Sequence, residues 1–368
     1  MKITTFSRLA AMLAVLGLSI PAFAEDDATL FMSRANARIA KAMRFQNRWD
    51  GPTTGVKISQ KRNVILIGSD LHDPSQSSIA SGVKEAAQTA GWNLMTIDCW
   101  GSTSRHAEAF SRALALNPDG IVVAGIDTAA IGKELAAAAK KKIPVVGWHA
   151  SPKPGPAAGL FANVNTDPKE AAQIAALLGV VESKGKSGIV IFTDSSNVYA
   201  MAKSNEIVSI IKQCQTCSLL AVEDLPLADA PKKMPDVLAA LVKRFGKKWT
   251  QTIASSDQYL DLMATPAASA TLAGNSPQAI SAGDGSELSY RRIRDKNLQI
   301  GTVPEPFQMQ GWQLLDELNR AIAGEKPSGY ENQSYLVTAS NISYHGGAKN
   351  NFDPDNGYRA EYKKIWMK

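Results

Sequence analysis

Residues 64–74 read VILIGSDLHDP, four consecutive apolar residues that run straight into a polar cluster. The apolar part is too short for a buried helix and is bounded by Gly68, which is typical of a parallel strand buried on both faces. Ligands of open α/β sheets bind beyond the carboxyl ends of such strands, where Ser69 and Asp73 follow here. The stretch therefore predicts one strand of a parallel sheet with ligand-binding side chains at its end.

The same unit recurs along the chain. From residue 63, short apolar runs alternate with helical stretches as far as the apolar run 144–147, and after a loop with three prolines the alternation continues to residue 303. This alternation predicts βαβ units with right-handed crossovers and a parallel sheet covered on both faces. We therefore expect the α/β class, with two doubly wound parallel-sheet lobes.

Composition and motifs narrow the function. The 368 residues, 45% of them apolar, fit two globular domains. The net charge of +6 is small, and the basic residues are spread along the chain instead of clustered. Both observations argue against a nucleic-acid partner. We find no phosphate-binding loop, dinucleotide fingerprint, GxSxG or HExxH motif. We therefore expect a protein that is not an enzyme and that has no catalytic residues, no cofactor and no metal site.

The first 24 residues have the pattern of a secretory signal peptide. Lys2 and Arg8 precede the apolar run 9–20, and the small residues of Ala22-Phe23-Ala24 resemble a cleavage site. The apolar run is too short for a membrane span, and a buried N-terminal helix is the alternative. Loss of these two cations would lower the net charge from +6 to +4. We expect a protein exported to the periplasm.

Cys214 and Cys217 form a CxxC motif, which is compatible with a redox pair, half of a zinc site or a local disulfide. A redox pair opens a helix after a strand, whereas these residues follow a helical pattern and precede an apolar run. No second cysteine pair and no nearby histidine completes a zinc site. The position favours a structural disulfide, with Cys99 as a single thiol.

Several ordered landmarks carry a family resemblance. They are Gly68-Ser69-Asp70 with Asp73-Pro74, Pro118 to Val123, Ile143 to Val146, Ser256-Asp257, Gly283 to Gly285 and Gly301 to Val303. In this order the chain resembles type I periplasmic substrate-binding proteins of the ribose- and galactose-binding class, which serve ABC importers. The resemblance implies two lobes joined by a three-segment hinge, with crossings near residues 163–165, 283–285 and 303–305. It also implies hinge closure around a ligand.

The resemblance covers residues 62–338 and divides the chain. It implies a first lobe of residues 62–164 with 306–329 and a second lobe of residues 165–305 with 330–338. Residues 25–61 would be an N-terminal extension with an amphipathic helix. Residues 339–368 would be a C-terminal extension, whose polar, glycine- and asparagine-rich sequence predicts a surface segment.

Side chains at the predicted strand ends are the candidate ligand-binding residues. Sugars and polyols present hydroxyls in fixed directions beside a weakly apolar ring face, so carboxylates, amides and aromatic rings suit them. The candidates are Ser69, Asp73, Gln76, Asp127, Trp148 and His149 in the first lobe, and Asp194, Asn197, Ser256, Asp257, Asp284 and Glu305 in the second. The resemblance independently indicates Asp73, Gln76, His149, Asp257, Asp284 and Glu305.

Structural roles compete with several of these assignments. Asp194 and Asp257 have the positions of helix N-caps. Asp73 before a proline suits a turn, Asp284 between two glycines suits a hinge turn, and Trp148 suits a buried core.

The sequence departs from its ribose-binding relatives at the ligand positions. Ser75-Gln76 replaces an aromatic pair, His149-Ala150 replaces an Asp-Arg pair, and an arginine motif is replaced around Lys203-Ser204. Acidic candidates outnumber basic ones, which favours a neutral or amine-bearing polyhydroxylated ligand and disfavours anions.

The expected function is capture of a small sugar, polyol or related polar ligand in the cleft between the lobes. Delivery to an ABC importer would make its membrane permease and its ATPase subunit the partners. One alternative is a sensor component that presents the ligand to a membrane receptor. The other is a secreted hydrolase that uses Ser69 and His72.

Overall fold

The computed structural model describes residues 27–44, 47–346 and 349–367, so the predicted signal peptide lies outside the described residues. The strands are β1 (Asn63–Gly68), β2 (Asn93–Asp98), β3 (Gly120–Ala124), β4 (Val145–Trp148), β5 (Gly155–Ala157), β6 (Leu160–Val164), β7 (Gly188–Thr193), β8 (Ser218–Asp224), β9 (Gln251–Ala254), β10 (Gln278–Ser281), β11 (Gln299–Thr302) and β12 (Val337–Thr338).

The helices alternate with these strands. They are α1 (Asp27–Ala42), α2 (Pro74–Ala90), α3 (His106–Ala115), α4 (Gly132–Lys140), α5 (Pro168–Glu182), α6 (Val198–Gln213), α7 (Ala230–Phe245), α8 (Asp257–Met263), α9 (Pro266–Thr271), α10 (Glu287–Arg294), α11 (Phe307–Ile322) and α12 (Tyr358–Met367). None of the helices in the described ranges is long and apolar enough to cross a membrane.

Two six-stranded sheets form the two lobes, as the alternation predicts. The first has the order β2-β1-β3-β4-β6-β5 and the second has the order β12-β11-β10-β9-β7-β8. Among the strands of the described residues, only the edge strands β5 and β12 pair antiparallel to their neighbours. The predicted α/β class and the two doubly wound lobes are therefore confirmed.

Strand β1 shows how this pattern builds a core on both faces of a sheet. Successive side chains of a strand point to opposite faces. Val64 and Leu66 accordingly join a buried cluster with helices α2, α11 and α12, while Ile65 and Ile67 join a cluster with α3 and α4. The continuous apolar run exists because helices cover both faces.

Some element bounds differ from the expected ones for local reasons. The helical sequence pattern at residues 260–270 belongs to two helices instead of one, because Pro266 cannot continue α8 and instead begins α9. Residues 155–157, expected in a loop, form the short edge strand β5.

The chain crosses between the lobes after β6, after β11 and before β12. The crossing expected at residues 283–285 is wrong, since this loop joins β10 to α10 and returns to β11 in the same sheet. Adjacent parallel strands need only a helical connection, and α10 supplies it.

The C-terminal extension is not the surface segment that its composition predicts. Helix α12 buries Tyr358, Tyr362, Ile365 and Trp366 in the core of the first lobe. Their spacing places them on one face of the helix. The polar composition of the preceding residues therefore does not predict the amphipathic helix that ends the extension.

Candidate functional site

The carboxyl-terminal ends of strands from both sheets come together between the lobes. Gln258, at the start of α8 in the second lobe, donates through Nε2 to Asp73 Oδ2 of the first lobe over 2.5 Å. Beside this contact, His149 after β4 stacks on Tyr199 of α6 with ring centroids 3.9 Å apart. The candidate site is therefore a cleft between the lobes, which we define by Asp73, His149, Tyr199 and Gln258.

Glu305 is the most connected side chain of the cleft. It is only 1% exposed and lies on the crossing after β11. It accepts hydrogen bonds from His149 Nε2 over 3.0 Å, Tyr199 Oη over 2.9 Å and Gln310 Nε2 over 3.2 Å. Lys203 Nζ lies 3.8 Å from Glu305 Oε1, the oxygen that also accepts from Tyr199. One carboxylate thus joins both lobes at the hinge.

Charges around Glu305 settle its ionisation. Burial alone would raise the pKa of Glu305, but the hydrogen bond from His149 and the Lys203 ammonium hold this pKa well below its usual range. Burial also lowers the pKa of His149 despite the attraction of Glu305. We assign an ionised carboxylate that is hydrogen-bonded to His149 and balanced by the Lys203 ammonium.

Three rings stand in a row next to this carboxylate. Trp148 stacks on His149 at 3.7 Å between centroids, and His149 stacks on Tyr199. Trp148 is buried and its Nε1 donates to Gln310 Oε1 over 2.9 Å. His149 has a φ of +49°, a left-handed conformation that non-glycine residues seldom adopt and that is often found at functional sites. Trp148 and Tyr199 are both buried, so the three rings cover one another's faces in this arrangement.

Asp284 and Ser256 form the second-lobe wall. Asp284 Oδ2 accepts from Ser256 Oγ over 2.5 Å and from the Asp257 backbone N–H over 3.1 Å. Burial raises the pKa of Asp284 to about 7, although the Lys203 ammonium opposes the shift. This carboxyl group can therefore change its protonation state near neutral pH.

Asp73 forms the facing wall in the first lobe. It caps α2, where its Oδ1 accepts from the Ser75 and Gln76 backbone N–H groups over 2.9 and 3.0 Å. Its other oxygen points across the cleft to Gln258. Burial raises the pKa of Asp73, partly against these hydrogen bonds. The turn role and the cleft role weighed from the sequence coexist in this residue.

Asp257 is placed differently from the other predicted site residues. It is fully buried, and its oxygens accept from Gly285 N over 2.7 Å, Ser286 N over 3.0 Å and Gln299 Nε2 over 2.8 Å. The Ser281 and Thr302 hydroxyls also donate to it. Its acceptor capacity is thus used inside the second lobe, where it fixes the loop that carries Asp284.

The remaining candidates have local partners. Gln76 Oε1 accepts from the Asp70 backbone N–H, Asp127 caps the turn after β3, and Asn197 caps α6 on an exposed surface. Asp194 is buried and holds Ser196 and the Leu227 backbone N–H. None of the contacts described for these four side chains crosses the cleft.

The hydrolase alternative is not favoured, since Ser69 has a histidine other than His72 beside it. Ser69 Oγ lies 3.1 Å from Nε2 of the buried His106, whose Nδ1 has no partner among the described residues. His72 is exposed, and its Nδ1 lies 3.3 Å from both Asp70 and Asp98. No carboxylate orients the imidazole next to Ser69, so the geometry of a catalytic triad is missing there.

Sequence reasoning left out four side chains that the fold brings to the cleft: Tyr199, Lys203, Gln258 and Gln310. Tyr199 and Lys203 share one face of α6, and Lys203 Nζ lies 4.6 Å from the tyrosine ring centroid. From the sequence, Lys203 is noted only as part of a replaced arginine motif. The available signal was this i, i+4 spacing after a strand end.

The disulfide prediction is confirmed. Cys214 and Cys217 are bonded at the turn between α6 and β8, and Cys99 is a buried free thiol.

Comparison with known proteins gives a family match. The profile of the family described as periplasmic binding protein domain matches residues 64–326. No curated protein matches the chain.

Solved structures share the fold at low identity. A sugar ABC transporter protein from Yersinia enterocolitica is 16% identical with a TM-score of 0.68 and covers 83% of this chain and 96% of its own. A solute-binding protein from Agrobacterium vitis with bound allitol is 14% identical with a TM-score of 0.67, covering 77% and 97%. The glucose-galactose binding protein GanP from Geobacillus stearothermophilus is 17% identical with a TM-score of 0.67, covering 77% and 99%.

Proposed function

This chain belongs to the periplasmic binding protein domain family, and on that premise we propose that it captures a small polyhydroxylated ligand between its lobes for delivery to an ABC importer. The observation that carries the proposal is Glu305, a buried carboxylate on a hinge crossing that is bonded to side chains of both lobes. A ligand hydroxyl that replaces one of these donors would bind both lobes at once and so favour the closed arrangement.

The proposed ligand-binding set differs from the sequence-based one. We propose direct contact for Asp73, Trp148, His149, Ser256, Asp284 and Glu305, together with Tyr199, Lys203 and Gln258. Asp257 would act as a positioning residue for the Asp284 loop. Five of the residues predicted from the sequence remain candidates for ligand contact only at the edge of the cleft: Ser69, Gln76, Asp127, Asp194 and Asn197.

The charge of the cleft limits the ligand class. Asp73, Asp284 and Glu305 contribute three carboxyl groups, whereas Lys203 is the only fully buried cation among the cleft residues named above. An anionic ligand would meet carboxylates without enough cations to pair with it. We propose a neutral sugar or polyol, or an amine-bearing analogue. The solved proteins of this fold that are described with allitol and as glucose-galactose binding support this class.

The proposal extends to location and partners. An exported protein would lose residues 1–24 and work in the periplasm, and a membrane permease and its ATPase subunit would receive the ligand. We also propose the lobe division given by the resemblance, because α11 packs against α2 and the first sheet while β12 completes the second. N-terminal sequencing of the periplasmic fraction would test export, since the mature chain should begin at Glu25.

A thermal-shift screen with neutral, amino and phosphorylated sugars tests the ligand class. We expect stabilisation by a neutral or amino compound that is lost in Glu305→Gln. The exposed Asp229, which pairs with Lys233, offers a matched control in Asp229→Asn, and this variant should keep the shift. Stabilisation only by phosphorylated or acidic sugars would contradict the proposal.

A further inference from the structure

The two terminal extensions are anchored on both lobes. The N-terminal one begins on the second lobe, where Ala35, Ile39 and Ala42 of α1 are buried in the core beside α5. The Ala42 carbonyl accepts from the Leu336 backbone N–H over 2.9 Å. Helix α1 is therefore part of the second lobe.

The same extension then joins the first lobe. Trp49 packs edge-on against Tyr362 with ring centroids 5.2 Å apart. Further on, Asn319 Nδ2 of α11 donates to the Val56 carbonyl over 3.0 Å, and the Ile58 backbone N–H donates to the Trp366 carbonyl over 2.9 Å. This segment thus makes a fourth connection between the lobes.

The C-terminal extension makes a fifth. On the second lobe, Ile342 and Phe352 are buried with Tyr290 of α10, whose hydroxyl donates to the His345 carbonyl over 2.5 Å. On the first lobe, Trp366 stacks on Trp312 with the ring planes 6° apart.

Two further contacts fix the first-lobe end of this extension. Arg359 forms a two-pronged ion pair with Glu85 of α2 over 2.7 and 3.0 Å. Asn356 Nδ2 lies 3.5 Å from the sulfur of Met309. The extension is therefore firmly held on each side of a short link.

We propose that these two extensions are straps that limit how far the lobes open. We define them by their described residues, as the N-strap, residues 27–44 and 47–61, and the C-strap, residues 339–346 and 349–367. In the C-strap only four peptide units separate Phe352 on one lobe from Asn356 on the other, which allows a span of at most about 14 Å. In the N-strap six units separate Met43 from Trp49, which allows at most about 21 Å.

Both straps run next to the crossing before β12, where Phe352 of the C-strap packs on Tyr335 with ring centroids 5.2 Å apart. Asp50 of the N-strap accepts hydrogen bonds from Tyr330 and Gln333 over 2.9 and 2.7 Å. A hinge rotation must therefore bend five chain segments together instead of three. The consequence is a narrow range of opening, with access for small ligands through a restricted mouth. This inference goes beyond the proposed function, because it concerns motion and not ligand identity.

Lengthening one strap tests this proposal. Eight Gly/Ser residues would be inserted after the exposed Asp355, in the short link of the C-strap. The control receives the same insertion after the exposed Gly274, between α9 and β10 within one lobe. Nitroxide labels at Met95→Cys and Val222→Cys, exposed positions of the edge strands β2 and β8, report the distance between the lobes by pulsed electron paramagnetic resonance.

We expect the C-strap insertion to shift the distance distribution by several ångströms toward longer values and to broaden it, and the Gly274 insertion to leave it unchanged. Arg359→Ala, which weakens an anchor without lengthening the chain, should shift it in the same direction and keeps the test decisive if the insertion does not fold. Unchanged distributions in both strap variants would overturn the proposal. No ligand is needed, so a failure of the proposed function would leave this result interpretable.

Discussion

Replacing Asp257 by asparagine tests whether this carboxylate positions the Asp284 loop. One carboxylate oxygen serves the Gly285 and Ser286 N–H groups, and the other serves the Gln299 amide. Asparagine has a single acceptor oxygen. Either the two backbone N–H groups or the Gln299 amide would therefore face the NH₂ group of the asparagine instead of an acceptor. Gln299 has little freedom to turn, because its own oxygen already accepts from Arg292.

The magnitude follows from the bonds that are lost. A hydrogen bond to a charged group contributes about 1.5–3 kcal/mol, and a buried donor left without a partner adds a further penalty. Relief from burying a charge offsets part of this loss. We expect Asp257→Asn to lower the free energy of unfolding by about 2–4 kcal/mol.

Urea denaturation measures this free energy, and hydrogen exchange of the Gly285 and Ser286 amides should become faster. The matched control is Asp127→Asn, because Asp127 makes a single capping bond of 2.9 Å to the Ala129 N–H and asparagine caps equally well. A loss below about 0.5 kcal/mol in Asp257→Asn, similar to that of an ordinary surface substitution, would refute the positioning role.

Two further predictions follow from burial. Trp366→Ala should lower the free energy of unfolding by about 3–5 kcal/mol in urea titrations, because Trp366 is 2% exposed and its Nε1 also donates to Asp316. The control Met367→Ala, at a 76% exposed position, should have little effect. Equal effects of the two substitutions would mean that α12 is not part of the core. Asp284 has a folded pKa of about 7 against an ordinary value of 3.8, so the folded protein binds more protons in this window and stability falls as pH rises from about 4 to 7. Asp284→Asn should flatten this part of a stability–pH profile, and an unchanged slope would contradict the assignment.

Local patterns in the sequence determine most of the fold. The apolar run 64–67 predicts β1 because its strand has helices on both faces, and Pro266 begins a new helix because its ring fits the first turn of a helix but not the interior. The CxxC pair closes within a single turn, so its bond depends on neighbours in sequence. These features need no knowledge of distant contacts.

The candidate site was predictable only in part. Strand-end reasoning finds Asp73, Asp284 and Glu305, because a parallel sheet places all its carboxyl ends on one edge. It does not separate Asp257, whose oxygens are used internally, from Asp284, because both are aspartates after a strand of the same sheet.

The sequence by itself determined two α/β lobes, a disulfide and a set of acidic strand ends. Only the tertiary structure decided that Gln258 meets Asp73, that Tyr199 and His149 stack beside Glu305, and that both termini strap the lobes together. The physical reason is the separation along the chain of the residues that interact. Strands and helices follow from interactions between residues close in the chain, whereas contacts across the cleft depend on how the two lobes are oriented.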